Sequence, residues 1–166
     1  MSSRSRRLQF DVFPLWQFLQ DTFGFEQSFA VFGPYRGASI EPHVLDEHTI
    51  EVRMPLVLSN TNYVGAHFGG SLYSMCDPWF MALLIKHLGP DYMVWDKGAK
   101  IDFVQPGQGT VKAVFHIPAV ELDEIREQLQ KSKKLIRHYT VTVQGESGET
   151  VATVDKELYI RRLVTT

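Results

Sequence analysis

Three features of the chain point to an α+β domain in which a buried helix is followed by antiparallel strands. Several segments alternate apolar and polar residues with period two, residues 71–85 are apolar on nearly every side, and glycine-rich turns separate the alternating segments. With 166 residues and 44 % apolar side chains, the chain is long enough to enclose a sizeable core.

Taken in order, Pro14–Phe23 carries Leu15, Phe18, Leu19 and Phe23 at helical spacing, with Pro14 at a first helical position and Gly24 after the end. A short amphipathic helix is predicted there. A strand is expected over residues 38–44, then a turn at Asp46 and Glu47. A second strand follows over residues 48–54, where Ile50, Val52 and Met54 alternate with Thr49, Glu51 and Arg53. Residues 71–85 form the apolar helix. Residues 94–104, 110–117, 137–144 and 150–160 read as strands, with a short helix at 122–130 between the fourth and fifth. Turns are marked by Pro106, Gly107, Gln108 and Gly109, and by Gly145, Glu146, Ser147 and Gly148, the latter making the last two strands a hairpin. No internal repeat or linker divides the chain, so residues 1–166 are expected to form one domain, with residues 1–36 as an N-terminal helical extension.

The apolar helix contains the most informative local conflict. Asp77 is the only charge in it, and a carboxylate inside a core costs several kcal/mol unless something compensates. Pro78 follows directly, deep in the helix, where it removes a hydrogen bond at about 3 kcal/mol. Two rules broken at adjacent positions mark a candidate functional site. A kink is expected there, with Asp77 pushed away from α geometry and its carboxylate turned toward a cleft. The alternative is a buried acid paired with a Lys, an Arg or a backbone amide for stability.

Other classes find little support. Seventeen Lys plus Arg against nineteen Asp plus Glu give a net charge of -2, so no nucleic-acid partner is expected. The arginines at the start lead into no sustained apolar stretch, and no run reaches the ~20 apolar residues of a membrane span. Neither a secretory signal nor a membrane partner is expected. The lone Cys76 fits a reducing, cytoplasmic compartment. Its position on an apolar helix face suggests a small hydrophobe. His43, His48, His67, His87, His116 and His138 show no ligand spacing, so no metal is expected, and neither Walker nor dinucleotide glycine patterns occur. Ser71 after Gly69 and Gly70 lacks the closing glycine of a nucleophile elbow. Lys131, Lys133, Lys134 and Arg137 read as a solvated face, or else as partners of ligand phosphates.

Asn62, Gly65, Gly69, Gly70 and Asp77 together match the spacing N-x-x-G-x-x-x-G-G-x6-D. This resembles the signature of hotdog-fold acyl-CoA thioesterases of the phenylacetate type. Tyr92 to Lys97, Ile101 to Gly107 and the closing Leu158 to Arg162 are similar to a bacterial branch of that superfamily described as tetrameric acyl-CoA thioesterases. The resemblance spans about residues 52–162. It implies a hotdog fold, in which a curved antiparallel sheet wraps around a long central helix, here with an additional N-terminal helix. It also implies hydrolysis of acyl-CoA or another acyl thioester without a cofactor, by a homodimer or a homotetramer built as a dimer of dimers.

Carried onto matching residues, the resemblance makes Asp77 the general base or nucleophile, Asn62 its partner in placing water, and the Gly69 backbone N–H the oxyanion donor. Gly70, His67, Phe68 and Ser74 are the implied substrate contacts. Many enzymes of this type have His directly before the glycine pair, whereas Phe68 stands there in this chain and His67 lies one position earlier. Elementary helix physics agrees with the glycine role. The first amides of a helix have no intrahelical partner and sit at the positive end of the macrodipole. Asp77 lies eight residues beyond Gly69, ~12 Å along one helix, so a shared site requires two subunits with antiparallel central helices. The alternative reading is a noncatalytic hotdog module that binds acyl-CoA or another acyl ligand.

Overall fold

A computed structural model describes residues 12–163. The arginine-bearing start, on which the reading about secretion rests, lies outside the described residues. Helix α1 (Pro14–Phe23) has the bounds that its proline and glycine mark, and Gly24 leaves it at φ 85°. Two further helical turns follow, α2 (Phe25–Ser28) and α3 (Gly33–Ala38). They carry Phe25, Phe29 and Tyr35 onto Trp79, with the Phe29 and Trp79 rings 4.8 Å apart, and Trp16 of α1 closes over Phe29 at 4.9 Å. The first strand therefore starts later than residue 38. Ala38 is buried at the end of α3, Ser39 turns the chain at φ 55°, and β1 runs Glu41–Asp46. Burial of this aromatic group overrides the local strand pattern. Asp46, read as a turn residue, ends the strand instead.

The remaining strands are β2 (Thr49–Met54), β3 (Tyr92–Phe103), β4 (Val111–His116), β5 (Leu135–Gln144) and β6 (Thr150–Arg162). They make one antiparallel sheet in the order β1-β2-β4-β5-β6-β3, with β5 and β6 as the expected hairpin. Its inner face is built by alternation: Ile50 sits opposite Phe115, Val52 opposite Ala113, and Val141 opposite Val154. Helix α6 (Ala119–Lys131) lies between β4 and β5 in the chain and buries Leu122, Ile125 and Leu129.

The curved sheet wraps a central helix made of α4 (Gly69–Cys76) and α5 (Trp79–Leu88). Leu72, Met75, Cys76, Trp79, Phe80, Leu83 and Leu84 on this helix are buried, as its all-round apolar pattern requires. The helix is interrupted where Pro78 lacks an N–H. The Ser74 carbonyl takes the Asp77 N–H at 3.4 Å, and the Trp79 indole donates to the Met75 carbonyl at 2.8 Å. Asp77 keeps helical dihedrals (φ -58°, ψ -53°), contrary to the expected shift out of that region. The irregularity sits in the hydrogen-bond ladder and at Pro78, with ψ -12°. The buried Trp79 anchors the next turn and outweighs the local preference before proline.

Candidate functional site

At the helix break, the Asp77 carboxylate meets two side chains. Tyr73, one turn earlier on α4, donates its hydroxyl to Asp77 Oδ1 at 2.7 Å. Lys156 on β6 donates from Nζ to the same oxygen at 2.9 Å and to the Tyr73 hydroxyl at 3.3 Å. Its Nζ also lies 3.0 Å from Asp96 Oδ1 on β3. The ammonium thus lies within 3.3 Å of three oxygens. Among the described residues, every side-chain bond of Asp77 is made through Oδ1. The Asp77 side chain is 48 % exposed. The Lys156 side chain is 1 % exposed.

The strands explain how a lysine comes to be there. Val154, Lys156, Leu158 and Ile160 alternate onto the inner face of β6, so Lys156 occupies an apolar register position beneath the central helix. Asp96 shares the inner face of β3 with Val94, and the extra residue Lys97 makes a bulge directly after it, between the pairs Asp96 with Leu158 and Gly98 with Glu157.

The electrostatics follow from burial against attraction. Burial disfavours the Lys156 ammonium, but its bonds to Asp77 and the charge of Asp96 more than offset this, and it titrates above an ordinary lysine. Burial lifts the Asp96 carboxyl above the usual range, and Lys156 offsets only part of that. Burial, then the bond to the Asp77 carboxylate, raises the Tyr73 phenol. The adjacent Cys76 thiol is buried and pushed up to about 12.

The other sequence-marked residues gather at the start of α4. Asn62 ties the preceding loop together, accepting the Val64 and Ala66 N–H groups at 2.9 and 3.0 Å and donating to the His67 carbonyl at 3.2 Å. His67 is buried, with Nε2 2.9 Å from the Gly109 carbonyl and its own N–H on Gly107 O, and burial lowers its pKa. The Asn62 side chain thus engages the loop, and the His67 ring ties it to the turn at Gly109. Phe68 accepts the Ser71 and Leu72 N–H groups at its carbonyl, which starts the helix and leaves the Gly69 and Gly70 amides ahead of the ladder. Two rings lie on this glycine pair. A Cβ at Gly69 would stand 2.8 Å from the Phe103 ring, and one at Gly70 would run into the half-exposed Phe68 ring. Ser74 is partly buried on α4, one turn before the break.

These residues thus fall into two groups at opposite ends of α4: an amide end, with Asn62, His67, Phe68, Gly69 and Gly70, and a carboxylate end, with Tyr73, Ser74 and Asp77. Lys156, Asp96 and Tyr73 escaped the sequence reading. The signal for Lys156 was legible, as a lone charge on the apolar side of an alternating strand. Among the described residues no three His, Cys, Asp or Glu side chains could hold a metal ion, and no helix is long and apolar enough to cross a membrane.

Residues 24–160 match the sequence family described as Domain of unknown function (DUF4442). The chain belongs to this family. No curated protein matches it. Among solved structures, it is similar to PA5026 of Pseudomonas aeruginosa, described as a protein of unknown function and "Probable Thioesterase", at TM-score 0.72 and 17 % identity over 90 % of this chain and 95 % of that one. It is also similar to the thioesterase HI1161 of Haemophilus influenzae, at TM-score 0.61 and 15 % identity over 96 % and 98 %. The PaaI protein of E. coli, from the phenylacetic acid degradation operon, gives TM-score 0.55 and 17 % identity over 84 % and 91 %. At these identities the likeness concerns the fold: this DUF4442 member is a hotdog.

Proposed function

We propose that this protein is an acyl-CoA thioesterase whose sites form between two subunits. The observation that carries the reading is the half-exposed Asp77 carboxylate, held through one oxygen at a break in an otherwise apolar helix that starts with an unpaired glycine amide pair. Thioesterase descriptions among the similar structures support the same class.

In the proposed reaction, Asp77 Oδ2 takes a proton from water as the water oxygen attacks the thioester carbonyl. The carbonyl becomes an oxyanion that accepts from the Gly69 N–H of the opposing subunit, with the α4 dipole favouring the negative charge. The C–S bond then breaks, and the thiolate takes the proton held by Asp77, leaving a carboxylic acid and a free thiol. Asn62 and His67 serve this step by fixing the loop that aims the amides. Gly70, Phe68 and Ser74 border the acyl group. Two features support pairing of subunits. Strand β3 is a twelve-residue strand at the edge of the sheet, and Leu58, Tyr63, Val64, Phe68 and Phe103 are exposed near the amide end. An antiparallel second copy would cover them and bring Gly69 to Asp77.

A noncatalytic acyl-binding module is the second reading, favoured by the ion pair that occupies one oxygen of Asp77 and by Phe68 in place of a histidine. A panel of acyl-CoA thioesters from short to long chains, followed by release of free thiol, separates the two. Hydrolysis of at least one member, lost in Asp77→Asn, supports the enzyme. Saturable acyl-CoA binding with no thiol release by the native chain selects the module.

A further inference from the structure

We infer that Lys156 and Asp96 are positioning residues for Asp77: Lys156, together with Tyr73, aims the carboxylate through one of its oxygens, while Asp96 holds the same ammonium and shares its charge. This rests on the hydrolytic reading above and adds residues that neither the motif nor the fold assigns.

A side chain as polar as Lys156 at 1 % exposure requires strong compensation, and replacing it by an apolar residue of similar volume would satisfy the core at no such penalty. Its placement serves one group that is not itself buried. Lys156 Nζ and the Tyr73 hydroxyl converge on the same oxygen of Asp77 at 2.9 and 2.7 Å, which holds the carboxylate through Oδ1 and, among the described residues, leaves Oδ2 without a side-chain bond. A lysine alone would do this at a price in reactivity, because a full positive charge at 2.9 Å weakens a carboxylate as a base. Asp96, 3.0 Å from the same ammonium, divides that charge. The triad carries a net formal charge of -1.

The surrounding groups leave this balance undisturbed across neutral pH. Tyr35 of α3 is raised by burial, Tyr73 and Cys76 of α4 are raised likewise, and Lys156 of β6 titrates above ordinary lysine. Asp96 of β3 is the remaining acid facing Asp77.

The two substitutions then push the pH profile in opposite directions. Lys156→Met leaves two facing carboxylates without their cation, so the acid limb of kcat/KM should move up by about one unit or more. Its kcat should fall about 10- to 100-fold while KM stays within about twofold, as for a misaimed group that does not touch substrate. Lys156→Arg, which keeps the charge, should recover part of kcat. Asp96→Asn gives Asp77 the undivided ammonium, so the acid limb should move to lower pH and kcat fall several-fold. Tyr73→Phe removes a donor without changing charge and should lower kcat with the limb nearly in place.

These profiles are measured on the full chain with the best substrate of the acyl-CoA panel, each variant accompanied by a thermal melt. If Lys156→Met does not fold, Asp96→Asn and Tyr73→Phe carry the test. The inference is overturned if folded Lys156→Met or Asp96→Asn keeps the native acid limb and a kcat within about twofold of the native chain, while Asp77→Asn is inactive. A fully active Asp77→Asn would instead remove the hydrolytic role of Asp77, and this inference with it.

Discussion

Asp77→Ala is the most informative single perturbation, because the structure settles its sign on stability. A lone carboxylate in an apolar helix would be relieved by removal, and the chain would melt higher. Here Asp77 is instead one of two anions around a lysine with almost no solvent contact, so its removal weakens the compensation of a buried cation. A hydrogen bond to a charged group contributes about 1.5–3 kcal/mol. Two circumstances place this one near the bottom of that range: Asp77 is half exposed, and Asp96 stays beside the ammonium. About 1.5 kcal/mol in a domain of this size corresponds to a Tm lower by about 3–6 °C. Turnover should fall much further, by roughly 10² to 10⁴-fold, the range for loss of a positioned base. The assay is a pair of measurements on one preparation, a calorimetric melt and the rate of thiol release. A variant that melts at or above the native temperature would refute the stabilising ion pair. A folded variant that hydrolyses at the native rate would refute the catalytic assignment.

Trp79→Ala should cost about 3–5 kcal/mol in denaturant unfolding, since the indole fills the junction of α3, the central helix and β4 and also bonds the Met75 carbonyl at the helix break; a loss below 1 kcal/mol would contradict its anchoring role. The Cys76 thiol, buried and pushed up to about 12, should resist alkylation at pH 8 in the native state and react on unfolding, whereas rapid native labelling would place it at an accessible surface. Burial lowers both His67 and His87 below the ordinary histidine range, so in the window between folded and unfolded values the unfolded chain binds more protons. Their contribution is present above about pH 6.5 and lost as pH falls through the lower folded values, so Tm should drop between pH 7 and pH 5; a flat or rising Tm would contradict the shifts. Light scattering at micromolar concentration should give a multiple of the 19.0 kDa chain mass, and a clean monomer would remove the shared site.

The strands were legible because the sheet packs one face on the central helix, which imposes period-two patterns on β2, β4 and β6. The central helix was legible for the opposite reason, since enclosure from all sides leaves almost no polar position except Asp77. The turns α2 and α3 were not, because four to six residues carry too little periodicity, and what holds them is a distant tryptophan. The same limit applies to the candidate site. Asp77 stood out as a local anomaly, but Asp96 and Lys156 lie 19 and 79 residues away from it, on strands whose register decides which side chains turn inward. Only the alternation of Val154, Lys156 and Leu158 carried a trace of the contact. The glycine pair was readable from the motif, whereas the Phe103 ring lying on Gly69 depends on where β3 ends.

Subunit complementation tests the central claim most directly. Asp77→Asn disables the carboxylate end, and Gly70→Val, whose side chain would run into the Phe68 ring, disables the amide end. If each site takes Asp77 from one subunit and the amides from the other, a mixed dimer holds one intact site and one doubly disabled site. Random re-pairing of equal amounts of the two inactive variants makes half the dimers mixed, so about a quarter of native thiol-release activity should return. A re-paired mixture that stays as inactive as its parents, although the subunits have exchanged, would contradict a site shared between two chains.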